Sequence, residues 1–311
     1  MNYAEVKSFK SQTKLMVTGE YLVLKGALSL SLPLKFSQRL TISKSLGTKE
    51  LVWKSMINND LWFSSTLLLP HFQVKESNSH NLADTLCQIL IAAKKLNPDF
   101  LQNVGSIDII SFMDFDPSWG IGSSSSLISN IAYWAECDPF ELNQVIFNGS
   151  GYDIACARSS SPIIYQNSDG HPNYREANFQ PEFHENLYFV YLNRKQNSRE
   201  SILKSNISTI SSGEIHAVSE LTLKLERAKE LGTFQSLMDQ HEELISKIIQ
   251  IRPVKNLYFK DFRGSIKSLG AWGGDYIMVA STEPEEYIYS YFESKNLHTI
   301  FRYKEIVLSE K

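Results

Sequence analysis

Hydrophobic positions along this chain change period several times. In KLMVTGEYLVLKGALSLSLPLKF, residues Leu28, Leu30, Leu32 and Leu34 alternate with small or polar residues, the period-two mark of a half-buried strand. Lys14 to Thr18 reads as strand, Gly19 and Glu20 interrupt it, and YLVLK predicts a strand leading into a turn and another strand. RLTISK and ELVWK predict further strands of an antiparallel meander. From Asn81 the period becomes helical, with Leu82, Leu86, Ile89, Leu90, Ala93 and Leu96 on one face and Ser79 or Asn81 able to cap the start. SIDIISFMD predicts a strand, LISNIAYWAE a helix, Phe140 to Phe147 a short helix, and PIIYQ a strand.

The second half is patterned differently. Gln166 to Glu185 is polar, carries Gly170, Pro172 and Pro181, and reads as a connection between domains. NLYFVYL predicts a strand, and helical patterns cover Glu214–Leu231, Phe234–Ile251 and Lys255–Leu269. SLGAWGGDYIMVAS predicts a glycine-rich turn into a buried strand, EPEEYIYSYFESK an amphipathic helix, and HTIFRYKEIVL a last strand. No internal repeat is visible. Strands and helices in this order predict an α+β fold.

Composition narrows the function classes. A chain of 311 residues with 42% hydrophobic and 12% aromatic content can build a packed core. A net charge of -3 argues against a nucleic-acid-binding surface. No run of eighteen apolar residues predicts a membrane span, and the N-terminal segment lacks the apolar core of a secretory signal. Cys87, Cys137 and Cys156 are odd in number and far apart, as expected of reduced thiols in a cytoplasmic protein. HEEL at His241 lacks the second histidine of a zinc motif.

Three segments carry candidate chemistry. PSWGIGSSSS stands between a strand and an apolar helix. Glycines there let the backbone approach an anion, the helix start offers unpaired N–H groups, and serines add hydroxyls for phosphate or magnesium. The plainer alternative is a serine-capped helix after a tight turn. GSGYDIA sets Asp153 among glycines and apolar residues, where a carboxylate can orient or deprotonate a hydroxyl or simply cap a helix. Lys14 is positioned to pair with such a carboxylate, or to be a solvated strand-end lysine. LGAWGGD places three glycines before a strand, either to pass close to a ligand or to form a bulge. Arg194, Lys195 and Arg199 follow a strand and suit an anionic ligand or plain solvation.

In order along the chain, these segments resemble those of the GHMP kinase superfamily, which includes galactokinase, homoserine kinase, mevalonate kinase and phosphomevalonate kinase. KLMVTGEYLVLKGALSLSLPL is similar to its first motif, GIGSSSS to its second, of the form GLGSSAA, and LGAWGGDYIMVAS to its glycine-rich third. GSGYDIA resembles the segment with the family's active-site aspartate, closest to phosphomevalonate kinases, and Gly151 to Ala155 spell the signature of the GYDIA subgroup. The resemblance runs from Lys14 to Asp275.

It implies a two-lobed fold. Residues 1–182 would form a ribosomal-protein-S5-like ATP-binding domain and residues 183–311 a ferredoxin-like one. It also implies transfer of the ATP γ-phosphoryl, with Mg²⁺, to a small acceptor, most of all mevalonate or phosphomevalonate. By motif match, Gly120, Ile121, Gly122, Ser123, Ser124 and Ser125, with Gly270, Ala271, Gly273 and Gly274, would hold the nucleotide, and Ser124 would contact magnesium. Asp153 and Lys14 would be catalytic. Glu20, Tyr21, Ser150, Gly151, Arg194, Lys195, Arg199 and Asp275 would face an anionic acceptor bearing carboxylate or phosphate.

Some features depart from the family. The interval between GIGSSSS and GSGYD is short, and neither Glu136 nor Glu141 clearly matches its magnesium-binding glutamate. Trp272 stands where a glycine is usual, either to stack on a ligand or to fill the cleft. The alternatives are a diphosphomevalonate decarboxylase-like enzyme, a kinase for another alcohol such as a sugar or homoserine, and a non-catalytic nucleotide-binding relative.

Overall fold

The structure is a computed structural model that describes residues 6–45, 49–102, 104–168, 170–194, 210–270, 272 and 274–308. Among these the chain divides into two compact units. One takes residues up to Thr13, Phe36–Pro117 and Gly122–Arg158; the other takes Lys14–Lys35, Ser118–Ile121 and the residues from Ser159 onward.

The first unit is a mixed sheet under helices. Its strands are β2 (Ser29–Ser45, whose first residues belong to the second unit), β3 (Glu50–Ile57), β4 (Asp60–Leu68), β5 (Gln73–Ser77) and β6 (Ser106–Met113), in the order β5-β4-β3-β6-β2. β1 (Val6–Met16) pairs with β2. The expected meander is not formed. β6 lies between β2 and β3, antiparallel to the first and parallel to the second. Parallel neighbours need a long crossover, and β4, β5 and the helix α1 (His80–Leu96) supply it. RLTISK is the far half of β2 rather than a separate strand. Helices α1, α2 (Ser123–Ala135), α3 (Pro139–Phe147) and α4 (Tyr152–Ala157) pack together. With Trp53, Phe63, Ile107 and Ile109 of the sheet, Leu90, Ile131 and Ile154 of these helices close one core.

The second unit holds a four-stranded antiparallel sheet of β9 (Leu187–Tyr191), β10 (Ser265–Leu269), β11 (Tyr276–Ala280) and β12 (Ile300–Arg302), ordered β10-β11-β9-β12. The helices α5 (Ser212–Arg227) and α6 (Leu231–Ile249) lie between β9 and β10 in the chain. The short α7 (Val254–Tyr258) follows them, and α8 (Glu285–Glu293) joins β11 to β12. That is the expected ferredoxin-like arrangement, in which strands β9 and β10 flank β11. The start of β2 pairs with β7 (Ile163–Ser168), and β7 pairs with β8 (His171–Glu176).

Four further predicted elements differ. YLVLK is a 3₁₀ turn, Leu22–Lys25, closed by left-handed Gly26. The polar stretch from Gln166 contains β8, an edge strand exposed at all six positions, which explains its polarity. The helical pattern at Lys255–Leu269 is helical only to Tyr258, and its end is the buried strand β10. At Gly264 (φ 139°) an added Cβ would stand 2.5 Å from the Ala280 carbonyl oxygen, so only glycine lets β10 start against β11. HTIFRYKEIVL forms three residues of strand and then a helical turn at Tyr303–Ile306. Among the described residues no helix is long and apolar enough to cross a membrane.

Candidate functional site

In the first unit the serine run opens α2 instead of preceding it. Gly122 is the N-cap at φ 100°, and no side chain caps the helix start. No acidic residue stands in the first turn. The four serines divide by role. Ser125 Oγ donates to the Gly122 carbonyl (2.9 Å), and Ser126 Oγ donates to Gln38 Oε1 (2.7 Å), so both hydroxyls turn inward. Ser123 is half-buried and Ser124 exposed. Further along α2, Asn130 Nδ2 donates to the Gln38 carbonyl (2.9 Å), and Ser11 Oγ lies 2.9 Å from both Ser129 Oγ and Asn130 Oδ1. These buried polar bonds fix α2 to β1 and β2. The outcome is a helix start that opens on a left-handed glycine and carries no acid in its first turn, and such a start suits an anion.

Asp153 lies in the first turn of α4 behind left-handed Gly151 (φ 89°) and accepts the Ile154 N–H (3.1 Å). It is half-buried. Ser150 is buried. A Cβ on Gly149 would meet the amide of buried Asn143 at 3.0 Å. α4 packs on α2, so the Asp153 helix and the serine helix belong to one layer.

In the second unit, residues 118–121 are fixed at several points. Tyr191 Oη donates to the Ser118 carbonyl (3.0 Å), the Trp119 ring lies 5.6 Å from that of Phe301, and Lys14 N–H donates to the Ile121 carbonyl (2.8 Å). An added Cβ on Gly120 (φ 72°) would fall 2.5 Å from Asp275 Cγ. Asp275 is buried, adopts φ 52°, and donates its N–H to the Arg194 carbonyl (2.6 Å). Gly120, Asp275 and the Arg194 backbone, three widely separated predictions, therefore meet. The Arg194 side chain is exposed and lies over the Tyr258 ring, 5.0 Å from its centroid. Lys14 is half-buried, Gly270 adopts φ 66° with nothing among the described residues within 4 Å of an added Cβ, and Gly274 is buried. Ala271, Gly273, Lys195 and Arg199 lie outside the described residues.

Trp272, read above as a ligand stack or a cleft filler, is buried in an apolar cluster with Tyr21, Leu22, Val218, Ile245 and Ile249. Its backbone N–H donates to Tyr21 Oη (3.0 Å).

Glu20 has surroundings that its motif did not foretell. It is 1% exposed and bonded to Lys267 of β10, itself fully buried. His241 and Glu242 of α6 complete the cluster. His241 Nε2 lies 3.5 Å from Glu20 Oε2, and Glu242 Oε1 lies 3.7 Å from Lys267 Nζ and accepts the Ser268 N–H (2.9 Å). Burial raises the Glu20 carboxyl against the pull of Lys267. Burial, then the Lys267 charge, hold the His241 imidazole well below its usual value, so it is neutral. Burial pushes Glu242 up to about 8, with Lys267 opposing and Glu20 adding to the rise. Lys267, His241 and Glu242 were not predicted. A signal existed: His241 and Glu242 fall on the stripe of Phe234, Leu237, Met238, Ile245 and Ile249 that faces the core.

Among the described residues no three or more His, Cys, Asp or Glu side chains are grouped to hold a metal ion. No family model and no curated protein matches the sequence. Solved structures do match the fold. Mevalonate kinase from Methanococcus jannaschii superposes with a TM-score of 0.70 at 16% identity, over 98% of this chain and 99% of that chain. Phosphomevalonate kinase from Streptococcus pneumoniae, in complex with phosphomevalonate and AMPPNP, gives 0.68 at 16% identity over 98% of both chains. A D-glycero-D-manno-heptose 1-phosphate kinase from Bacteroides thetaiotaomicron gives 0.62 at 12%, over 97% of this chain and 96% of that one. Such identities speak for architecture, and by architecture this chain has the GHMP-kinase fold.

Proposed function

We propose that the chain is an ATP-dependent phosphotransferase that moves the γ-phosphoryl group to a small anionic acceptor, mevalonate or phosphomevalonate before others. The observation that carries this is the start of α2: a left-handed glycine, no side-chain cap, no acid in the first turn and an exposed Ser124. The likeness to a phosphomevalonate kinase in complex with phosphomevalonate and AMPPNP supports the substrate class.

In this reading the N–H groups from Gly122 to Ser125 take phosphate oxygens, Gly120 and Ile121 lead the chain to them, and the segment with Gly270, Ala271, Gly273 and Gly274 adds backbone contacts. The exposed Ser124 hydroxyl would be the side chain of this loop to hold a magnesium ion. Bound there, the ion supplies positive charge to the phosphates. Asp153 orients the acceptor hydroxyl and receives its proton; toward a phosphate acceptor its part is electrostatic. Lys14 offsets charge on the transferring group. Ser150, Gly151 and Arg194, with Lys195 and Arg199, receive the anionic acceptor, whereas Tyr21 is buried against Trp272. Phosphoryl transfer asks mainly for positioning and charge stabilisation, which this set supplies.

ADP release, followed over a panel of mevalonate-type, sugar and amino-acid acceptors, tests the proposal. Asp153→Ala should lower turnover by roughly 10²–10⁴-fold and keep affinity for AMPPNP. Equal turnover in the variant would refute the role of Asp153. One observation favours a non-catalytic nucleotide-binding relative: the Asp275 carboxylate lies against Gly120, where negative charge opposes a triphosphate. Nucleotide binding without turnover on any acceptor would decide for it.

A further inference from the structure

Lys267 stands in the middle of β10 with its side chain wholly out of water. A buried ammonium is costly unless it is paired. Lys267 is held by Glu20 and by the Ser268 carbonyl (3.0 Å), and Glu242 Oε1 stands 3.7 Å away. Its chief partner belongs to a strained turn. Gly19 adopts φ 88°, and its N–H donates to His241 Nε2 (3.4 Å). Tyr21 adopts φ 60°, ψ -43°, a conformation a bulky side chain holds at a cost of roughly 1–3 kcal/mol and only where its surroundings over-determine it.

Two grips do so, and both come from one stretch of chain. Lys267 holds Glu20 through its ammonium. Five residues later, Trp272 donates its backbone N–H to the Tyr21 phenol oxygen and packs beside Tyr21 in the same apolar cluster. Trp272 Nε1 is buried without a hydrogen-bond partner among the described residues, so the indole is held by packing and by this backbone bond.

We propose that Lys267 is a positioning residue: acting through Glu20 and Tyr21, it sets the placement of Trp272, which stands between Gly270 and Gly274, and thereby the nucleotide affinity of the chain. The last step rests on the kinase reading; the coupling from Lys267 to Trp272 does not.

The full chain labelled with 5-fluorotryptophan tests both parts. Its five tryptophans give separate fluorine signals, and Trp272→Phe assigns one of them. Lys267→Met strands a buried carboxylate, so Glu20→Gln/Lys267→Met, which removes both charges, is the variant to rely on if the single one fails to fold. The paired variant should move the Trp272 signal and leave the other four in place. In a Tyr21→Phe background the same change should no longer move it. Affinity for AMPPNP with magnesium should fall about tenfold in either background change alone and hardly further in the combination, as expected for sites that act in series. An unmoved Trp272 signal in the folded paired variant overturns the coupling, as does an equal shift with and without the Tyr21 hydroxyl. A shifted signal with unchanged AMPPNP affinity overturns the effect on nucleotide. Should the unaltered chain bind no AMPPNP, the kinase reading fails while the fluorine result still decides the coupling.

Discussion

Glu242→Gln should change how stability depends on pH. Glu242 is 3% exposed and shares one ammonium, Lys267, with Glu20, which takes the closer contact. One positive charge cannot offset two buried carboxylates, and the Glu242 carboxyl, at about 8 in the folded chain against 4.5 ordinarily, keeps its proton at neutral pH. Between those two values the folded state binds a proton that the unfolded state has lost. Stability therefore falls as pH rises through that window, by about 1.4 kcal/mol per unit, and levels off above the folded value. Over the whole window the loss is on the order of 5 kcal/mol. Glutamine has no proton to lose, still accepts the Ser268 N–H, and can donate to Ser268 Oγ. The variant should match the unaltered protein near pH 5 and exceed it by roughly 3–5 kcal/mol at pH 8. Urea unfolding at pH 5, 6, 7 and 8, at constant ionic strength, measures the difference. A difference that is constant across this range, or that favours the unaltered protein at pH 8, would show Glu242 to be an ionised partner of Lys267.

Gly19→Ala should cost about 2 kcal/mol or more, because its Cβ would lie 2.6 Å from Ser29 Cβ and 2.8 Å from the Leu28 carbonyl at φ 88°; a melting temperature unchanged from that of the parent would contradict this. Gly120→Ala should lose about 1–2 kcal/mol, and Asp275→Gly in the same chain should recover part of it, since the clash and a second positive φ are both relieved; strictly additive losses would show that the two do not touch. Ser124→Ala should weaken magnesium-dependent AMPPNP binding with little change in stability. Ser125→Ala, which loses an internal bond, should reverse that pattern and cost about 1 kcal/mol; calorimetry on both variants separates them, and identical effects would refute the division of the serine run.

Much of the architecture was legible because it is written locally. The helical stripe of α1, the buried strands β9 and β11 and the helix α8 each follow from a few neighbouring residues, whereas α2 starts at Ser123, within the serine run that was read as a loop before it. The left-handed glycines at 122 and 151 stand in motifs that the sequence displays openly, while the contact of Gly120 with Asp275 joins residues far apart in the chain. Positions that depend on partners far away in the chain were not readable. β6 enters between β2 and β3 because the buried faces of all three complete one core. SIKSL becomes a strand because β11 offers it a ladder from Ala280 to Tyr276, although its own pattern continues a helix.

What the sequence by itself determined is thus the alternation of strands and helices and the position of the glycine-bearing loops, since periodicity and glycine conformations act over a few residues. Only the tertiary structure decided the fate of Glu20, whose ammonium partner is 247 residues away. A buried charge takes its state from whatever surrounds it in space, and no local pattern carries that information.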